Sequence, residues 1–142
     1  MLQKRSLFLT VSLLASASCL TVPSVDTSKA ASAALAGQIT RPDGVTGVDG
    51  PVMAVQLLSA VNASGVATLL AQTNTQADEH GRFVFNFQLI GVDPQIGTVN
   101  LSITPLLGSG LLSRDTLSIP VKIEAGVVPA DTTYVLIKLQ AR

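Results

Sequence analysis

The chain has 142 residues, with nine basic and nine acidic side chains, one histidine and one cysteine. That balance excludes the basic, phosphate-binding surface that nucleic acid requires, and a lone cysteine excludes an intramolecular disulfide. The length suits one domain with one core, held together by packing.

The first chemistry in chain order is an address. Lys4 and Arg5 give a short positive segment, residues 7–17 are an apolar stretch, and the small residues Ser16, Ala17 and Ser18 stand directly before Cys19. This is the layout of an export signal. As a helix the apolar stretch would span only about 16 Å, against a hydrocarbon core of about 30 Å, so it is too short for a transmembrane anchor. Cleavage before Cys19 leaves its thiol at the new N-terminus, open to acylation. The segment resembles a bacterial lipoprotein signal: Ser18 fits the small residue before the cysteine, and Ser16 stands where Leu is preferred. The resemblance implies lipidation of Cys19, attachment to a membrane through that lipid and a cell-envelope location. With Leu20 rather than Asp after the cysteine, it implies the outer membrane where two membranes exist. The alternative is ordinary cleavage after Ala15-Ser16-Ala17, which would release a periplasmic or extracellular protein.

The chain therefore divides into a signal peptide (1–18), a tether (19–34) and a folded domain (35–142). Without Lys4 and Arg5 the remaining chain has a net charge of about −2. Residues 20–34 hold five Ser or Thr, four Ala and one Pro, with no apolar period. Such a stretch buries too little apolar surface to offset its ordering entropy, and as a coil it reaches roughly 20 Å. The alternative is that residues 30–35 add an edge strand or a short helix.

From Leu35 onward the apolar period is two, which predicts an all-β domain. The clearest strand is 82–88, where Phe83, Phe85 and Phe87 share one face. Residues 98–104 place Val99, Leu101 and Ile103 together, residues 116–124 place Leu117, Ile119, Val121 and Ile123, and residues 132–140 place Thr133, Val135, Ile137 and Leu139. Weaker strands are predicted over 35–40, 52–59 and 66–75. Residues 52–63 also carry Ala54, Leu57, Leu58 and Val61 at helical spacing, but Val55 and Leu57 flank Gln56 and turns bound the segment, which favours a strand. Seven strands with one apolar face each predict a seven-stranded antiparallel β-sandwich; a closed barrel is the other way to hide those faces. Pro120 lies inside an otherwise clean strand and cannot donate to a ladder, so that strand is expected to be an edge or to be bulged.

Turn clusters at Pro42-Asp43-Gly44, Asp49-Gly50-Pro51, Asn62-Ala63-Ser64-Gly65, Asp78-Glu79-His80-Gly81 and Gly91-Val92-Asp93-Pro94 separate these strands. Gly37-Gln38-Ile39, Asp43-Gly44, Pro51 before Val55-Gln56-Leu57, and a Thr-containing stretch entering an acidic turn before Arg82-Phe83-Val84-Phe85 follow one another. This succession resembles the carboxypeptidase regulatory-like and transthyretin-like modules, apart from the missing Tyr at Val99-Asn100-Leu101. The resemblance implies a non-catalytic structural or binding accessory module. The hydrolase of that superfamily needs several histidines and a Tyr-Arg-Gly-Ser terminus, whereas this chain has His80 alone and ends Gln140-Ala141-Arg142.

Other chemistry is sparse. His80 lies beside Asp78 and Glu79, an arrangement that could serve acid–base catalysis but is ordinary for a solvated turn. Asp43, Asp49, Asp78 and Asp93 fall in loops that could hold Ca²⁺, yet Asp-Gly is first a turn signal and no EF-hand spacing exists. The reading is therefore an exported, membrane-tethered, non-catalytic module that binds a protein or glycan or serves as a structural subunit. It assigns no catalytic residue, metal or cofactor, and lipidation at Cys19. The alternative is a small secreted or periplasmic enzyme.

Overall fold

The computed structural model describes residues 29–142. Seven strands follow in order: β1 (Ala30–Thr40), β2 (Val52–Leu58), β3 (Leu69–Gln76), β4 (Arg82–Ile90), β5 (Gln95–Thr104), β6 (Arg114–Ala125) and β7 (Thr132–Lys138). The helical alternative for residues 52–63 is not taken: Met53, Val55 and Leu57 point into the core while Val52, Ala54 and Gln56 face out. Cys19 and the signal lie outside the described residues. Ala30–Thr40 is one strand, so residues 30–34, assigned to the tether, belong to the fold.

Strand pairing runs unbroken through β3-β2-β5-β6-β1-β4, with β7 beside β1. The inward faces share a single core that includes Leu35, Val55, Phe85, Leu101, Ile119 and Ile137. The domain is thus one barrel-like sheet in which the ladders β3-β2-β5-β6 and β4-β1-β7 join at two residue pairs between β6 and β1, instead of the unconnected sheets of a sandwich. It also departs from all-antiparallel order, because β7 runs parallel to β1, from Ala34↔Thr132 to Thr40↔Lys138.

β1 explains both departures. On one side it pairs with β4 from Ala30 to Gln38. On the other it meets β6 only at Ala31↔Ala125 and Ser32↔Glu124 before β7 takes over. Ala31, Ser32, Ala33 and Ala34 are all buried, so this strand is covered on both faces, and their small side chains let its neighbours crowd in. Gly37 serves the same end where β7 arrives, since a Cβ there would clash with the Val135 carbonyl oxygen and the Phe83 ring. A strand of alanines lacks the apolar/polar alternation that marks a half-buried strand, which is why it reads as tether.

The exchange of partners leaves the remainder of β6 unpaired on that side. Ser118 to Lys122 pair with β5, through Asn100↔Ser118, Thr98↔Pro120 and Ile96↔Lys122, and with no second strand among the described residues. The edge expected from Pro120 is present. Farther up, β6 bulges between Leu117 and Arg114, with Thr116 at φ 48°.

Phe83, Phe85 and Phe87 line the inner face of β4, with ring centroids 5.3 Å and 6.2 Å apart in succession. Each is less than a tenth exposed. Phe85→Ala should cost about 3–5 kcal/mol, a large share of the roughly 5–15 kcal/mol typical of a domain. Chemical denaturation measures it; a loss under about 1 kcal/mol would mean that the ring contributes little packing.

Candidate functional site

The path of strands has two ends, β3 and β4, and they do not pair with each other. Between them lies an open seam, a cleft of about 400 Å³ lined by Ala71, Gln72, Thr73 and Thr75 from β3 and by residues 84–88 of β4. The seam narrows to a pinned apex. There Asp78 Oδ1 accepts the N–H groups of His80 and Arg82, each at 2.8 Å. Asp78 N–H in turn donates to the Arg82 carbonyl at 3.0 Å, and Ala77 N–H donates to Pro51 at 3.0 Å. Below the apex the ladder does not continue.

The residue types explain the opening. The inward positions of β3, opposite Val55 and Met53 of β2, are Thr73 and Thr75, and both are exposed. They offer no apolar surface to hold β4 against β3, whereas Phe85 and Phe87 across the seam do. Two strands therefore present unpaired backbone N–H and C=O groups across one cleft, with an aromatic floor and uncharged walls of amide, hydroxyl and, at Ala71 and Val84, aliphatic side chains. None of the lining side chains is charged.

A second cleft, of about 470 Å³, lies on the outer face of β3, β2, β5 and β6. Gln72, Gln56, Asn100 and Ser118 stand in register across these four strands. Ser118 Oγ donates to Asn100 Oδ1 at 2.8 Å, and Ala54 in the next row leaves the depression. Neither cleft is named by a sequence motif. The only trace is compositional: Gln72-Thr73-Asn74-Thr75 supplies no apolar face, which marks a strand that cannot be covered.

The residues singled out for chemistry do not converge. His80 is exposed, its Nε2 is 3.4 Å from Glu79, and its backbone carbonyl accepts a bond from Gln38 Nε2 at 3.1 Å. Asp43, Asp49 and Asp78 lie in turns at one end of the barrel, while Asp93 lies in the β4–β5 loop at the other. Among the described residues, no three His, Cys, Asp or Glu side chains stand together as metal ligands. Asp43 is occupied within its own loop, accepting from the Thr46 hydroxyl and from the N–H groups of Val45 and Thr46 at 2.8 and 2.9 Å. Among the described residues, no helix is long and apolar enough to cross a membrane.

No family model and no curated protein matches the chain. Among solved structures it is similar to an alternative pilotin from the type II secretion system of Vibrio cholerae, at 16% identity and a TM-score of 0.40, covering 78% of this chain and 97% of that one. That likeness carries no argument about function. The similarity to carboxypeptidase regulatory-like and transthyretin-like modules accordingly rests on the strand-and-turn succession alone.

Hydrogen bonds hold the Asp43 and Asp78 carboxyls below the ordinary carboxylate range. Asp43 is lowered to about 2, first by the Thr46 hydroxyl and then by the Val45 and Thr46 N–H groups. Asp78 is lowered first by the Arg82 N–H, against a smaller burial effect, and then by the His80 N–H. Depressed carboxylates stabilise the fold above their unfolded pKa, and the contribution is lost as pH falls through the folded value. Acidification from about pH 4 towards pH 2 should therefore loosen the Asp43 loop and the seam apex. In an NMR titration the Thr46 and Arg82 amides should shift with the midpoints of Asp43 and Asp78; an Asp43 midpoint near 4 would contradict the assigned bonds.

Proposed function

We propose that this chain is a lipid-tethered, non-catalytic binding module of the cell envelope, attached through Cys19, that takes an extended segment of a partner protein as an added strand in the β3–β4 seam. The observation that carries the reading is the pair of unpaired strand edges facing each other across an uncharged cleft. An inserted strand would satisfy backbone groups on both sides at once. That is the arrangement in which main-chain hydrogen bonds supply affinity and alternate side chains supply specificity. The residues around the seam also limit the partner. Side chains pointing inward would rest on Phe85 and Phe87 and should be apolar, while those pointing outward would meet Gln72, Asn86 and Gln88 and should be polar but uncharged. The enzyme alternative has only the exposed His80 turn in its support.

A second reading has its own observation, the registered row Gln72, Gln56, Asn100 and Ser118. Side-chain amides can donate to and accept from neighbouring sugar hydroxyls, so this face suits a neutral glycan.

Photo-crosslinking groups placed at Thr73 and at Asn86 test the first reading. Both should trap one and the same partner peptide, an uncharged stretch of alternating apolar residues, and a group at Tyr134 on β7 should not. Crosslinks from the two sides to unrelated peptides, or equal capture from Tyr134, would sink it. Mass spectrometry of the N-terminal peptide tests the tether, which requires an acylated Cys19.

A further inference from the structure

The end of the barrel from which the N-terminus leaves differs chemically from the opposite end. Lys29 and Ala30 are tied there by Gly91 N–H to the Lys29 carbonyl at 3.0 Å and Gly126 N–H to the Ala30 carbonyl at 2.8 Å. The β2–β3, β4–β5 and β6–β7 connections share this end. The first two are linked by Ala60 N–H to Gln95 Oε1 at 2.8 Å. Around this rim stand exposed aliphatic side chains: Val61, Val66, Ile90, Ile96, Val127 and Val128, the last at 79% exposure. The opposite end carries Arg41, Asp43, Asp78, Glu79, Arg82 and Arg142. Val45, Leu106, Leu107 and Leu112 are exposed at that end as well, the last three on the uncharged β5–β6 loop.

Of the acidic groups near the rim, Asp93 is exposed, Asp131 stands 3.4 Å from Lys122, and Glu124 is held by several partners. Glu124 binds Lys122 at 2.8 Å, and its other oxygen accepts from Ala130 and Asp131 N–H at 2.8 and 3.1 Å. These bonds fix the loop that carries Val127 and Val128. The aliphatic tips are therefore presented by an ordered turn.

We propose that this rim is a membrane-seating surface, with Val127, Val128 and Ile90 resting in the interfacial layer of the bilayer to which the chain is attached. The inference rests on the tethered reading above. What selects a bilayer over a second protein is the chain itself: Cys19 lies ten residues before Lys29, a distance that no conformation extends beyond about 35 Å. Lipid on Cys19 thus brings a bilayer within reach of this end in every copy. Interfacial binding scales with the apolar area buried and with attraction between charges, and here the first term dominates, because the rim has no cluster of basic residues. Seated in this way, the barrel points its charged end and the pinned apex of the seam away from the membrane, and the seam opens towards it.

The chain contains no tryptophan, so one introduced indole reports alone. The full chains carrying Val128→Trp and, as the distal control, Leu107→Trp would be reconstituted with phosphatidylcholine vesicles. The V128W emission should shift to the blue and be quenched by lipids brominated in the acyl chain, with no dependence on added salt. The L107W emission should keep its water-exposed maximum. A V128W indole that stays at the water wavelength, or an L107W indole quenched equally, would overturn the proposal, the first result also covering a rim occupied by protein. Mass spectrometry of Cys19 in the same sample separates the two readings. Acylated Cys19 with a water-exposed V128W indole refutes the surface and keeps the tether. Unmodified Cys19 with a lipid-quenched V128W indole refutes the tether and keeps the surface.

Discussion

Everything in this fold depends on how many strands β1 accommodates. A strand has two edges, yet β1 serves three neighbours by giving Ala30–Gln38 on one side to β4 and dividing the other between β6 and β7. This is possible because its residues are small: four consecutive buried positions are Ala or Ser, and Gly37 removes the Cβ where the Val135 carbonyl comes closest. The division has a topological cost. β6 loses its partner beyond Glu124, and the sheet closes on that flank through the Leu111↔Ala141 bridge and the Arg114 guanidinium on the Lys138 carbonyl, at 3.2 Å.

The other flank is left open for a different reason. β3 and β4 are brought together by the Asp78 turn, so proximity is not what they lack. They lack a shared apolar face. β4 supplies phenyl rings, but β3 answers with Thr73 and Thr75, and hydrogen bonds alone contribute only about 1 kcal/mol net each when both groups can instead bond to water. In the proposed role, such a seam would bind a strand without first having to order its walls, since the rest of the barrel holds both in place. The apex geometry depends on the Asp78 carboxylate, which its N–H partners hold below its ordinary range, staying ionised.

The sequence makes the period-two strands legible because each has one wet and one dry face. The Phe83–Phe85–Phe87 stripe, the strand status of residues 52–58 and the edge character at Pro120 all follow from that pattern, and the structure has them. What is not legible is whatever depends on the second face or on a distant partner. The alanine run of β1 looks like a linker until three strands are packed on it. The parallel β1–β7 pair is set by where the chain returns after Ala125, which no local pattern encodes. The seam is partly legible, in the sense that Gln72-Thr73-Asn74-Thr75 announces a strand without a dry face, but which strand stands opposite is a matter of topology. The acidic turn residues read as candidate ligands because side-chain type alone does not tell that Asp43 and Asp78 are consumed by their own loops.

Native-state hydrogen exchange, resolved by residue, tests the open seam most directly. Amides of β1 should exchange only through global unfolding, as should those that join β2 to β5, while alternate amides of β3 and β4, those directed into the seam, should exchange rapidly in the unbound protein. If the seam-facing amides of residues 71–75 and 84–88 were protected to the same global limit as β1, then β3 and β4 would be paired in solution. The barrel would be closed, with no free edges left to receive a partner strand, and that result would contradict an open seam.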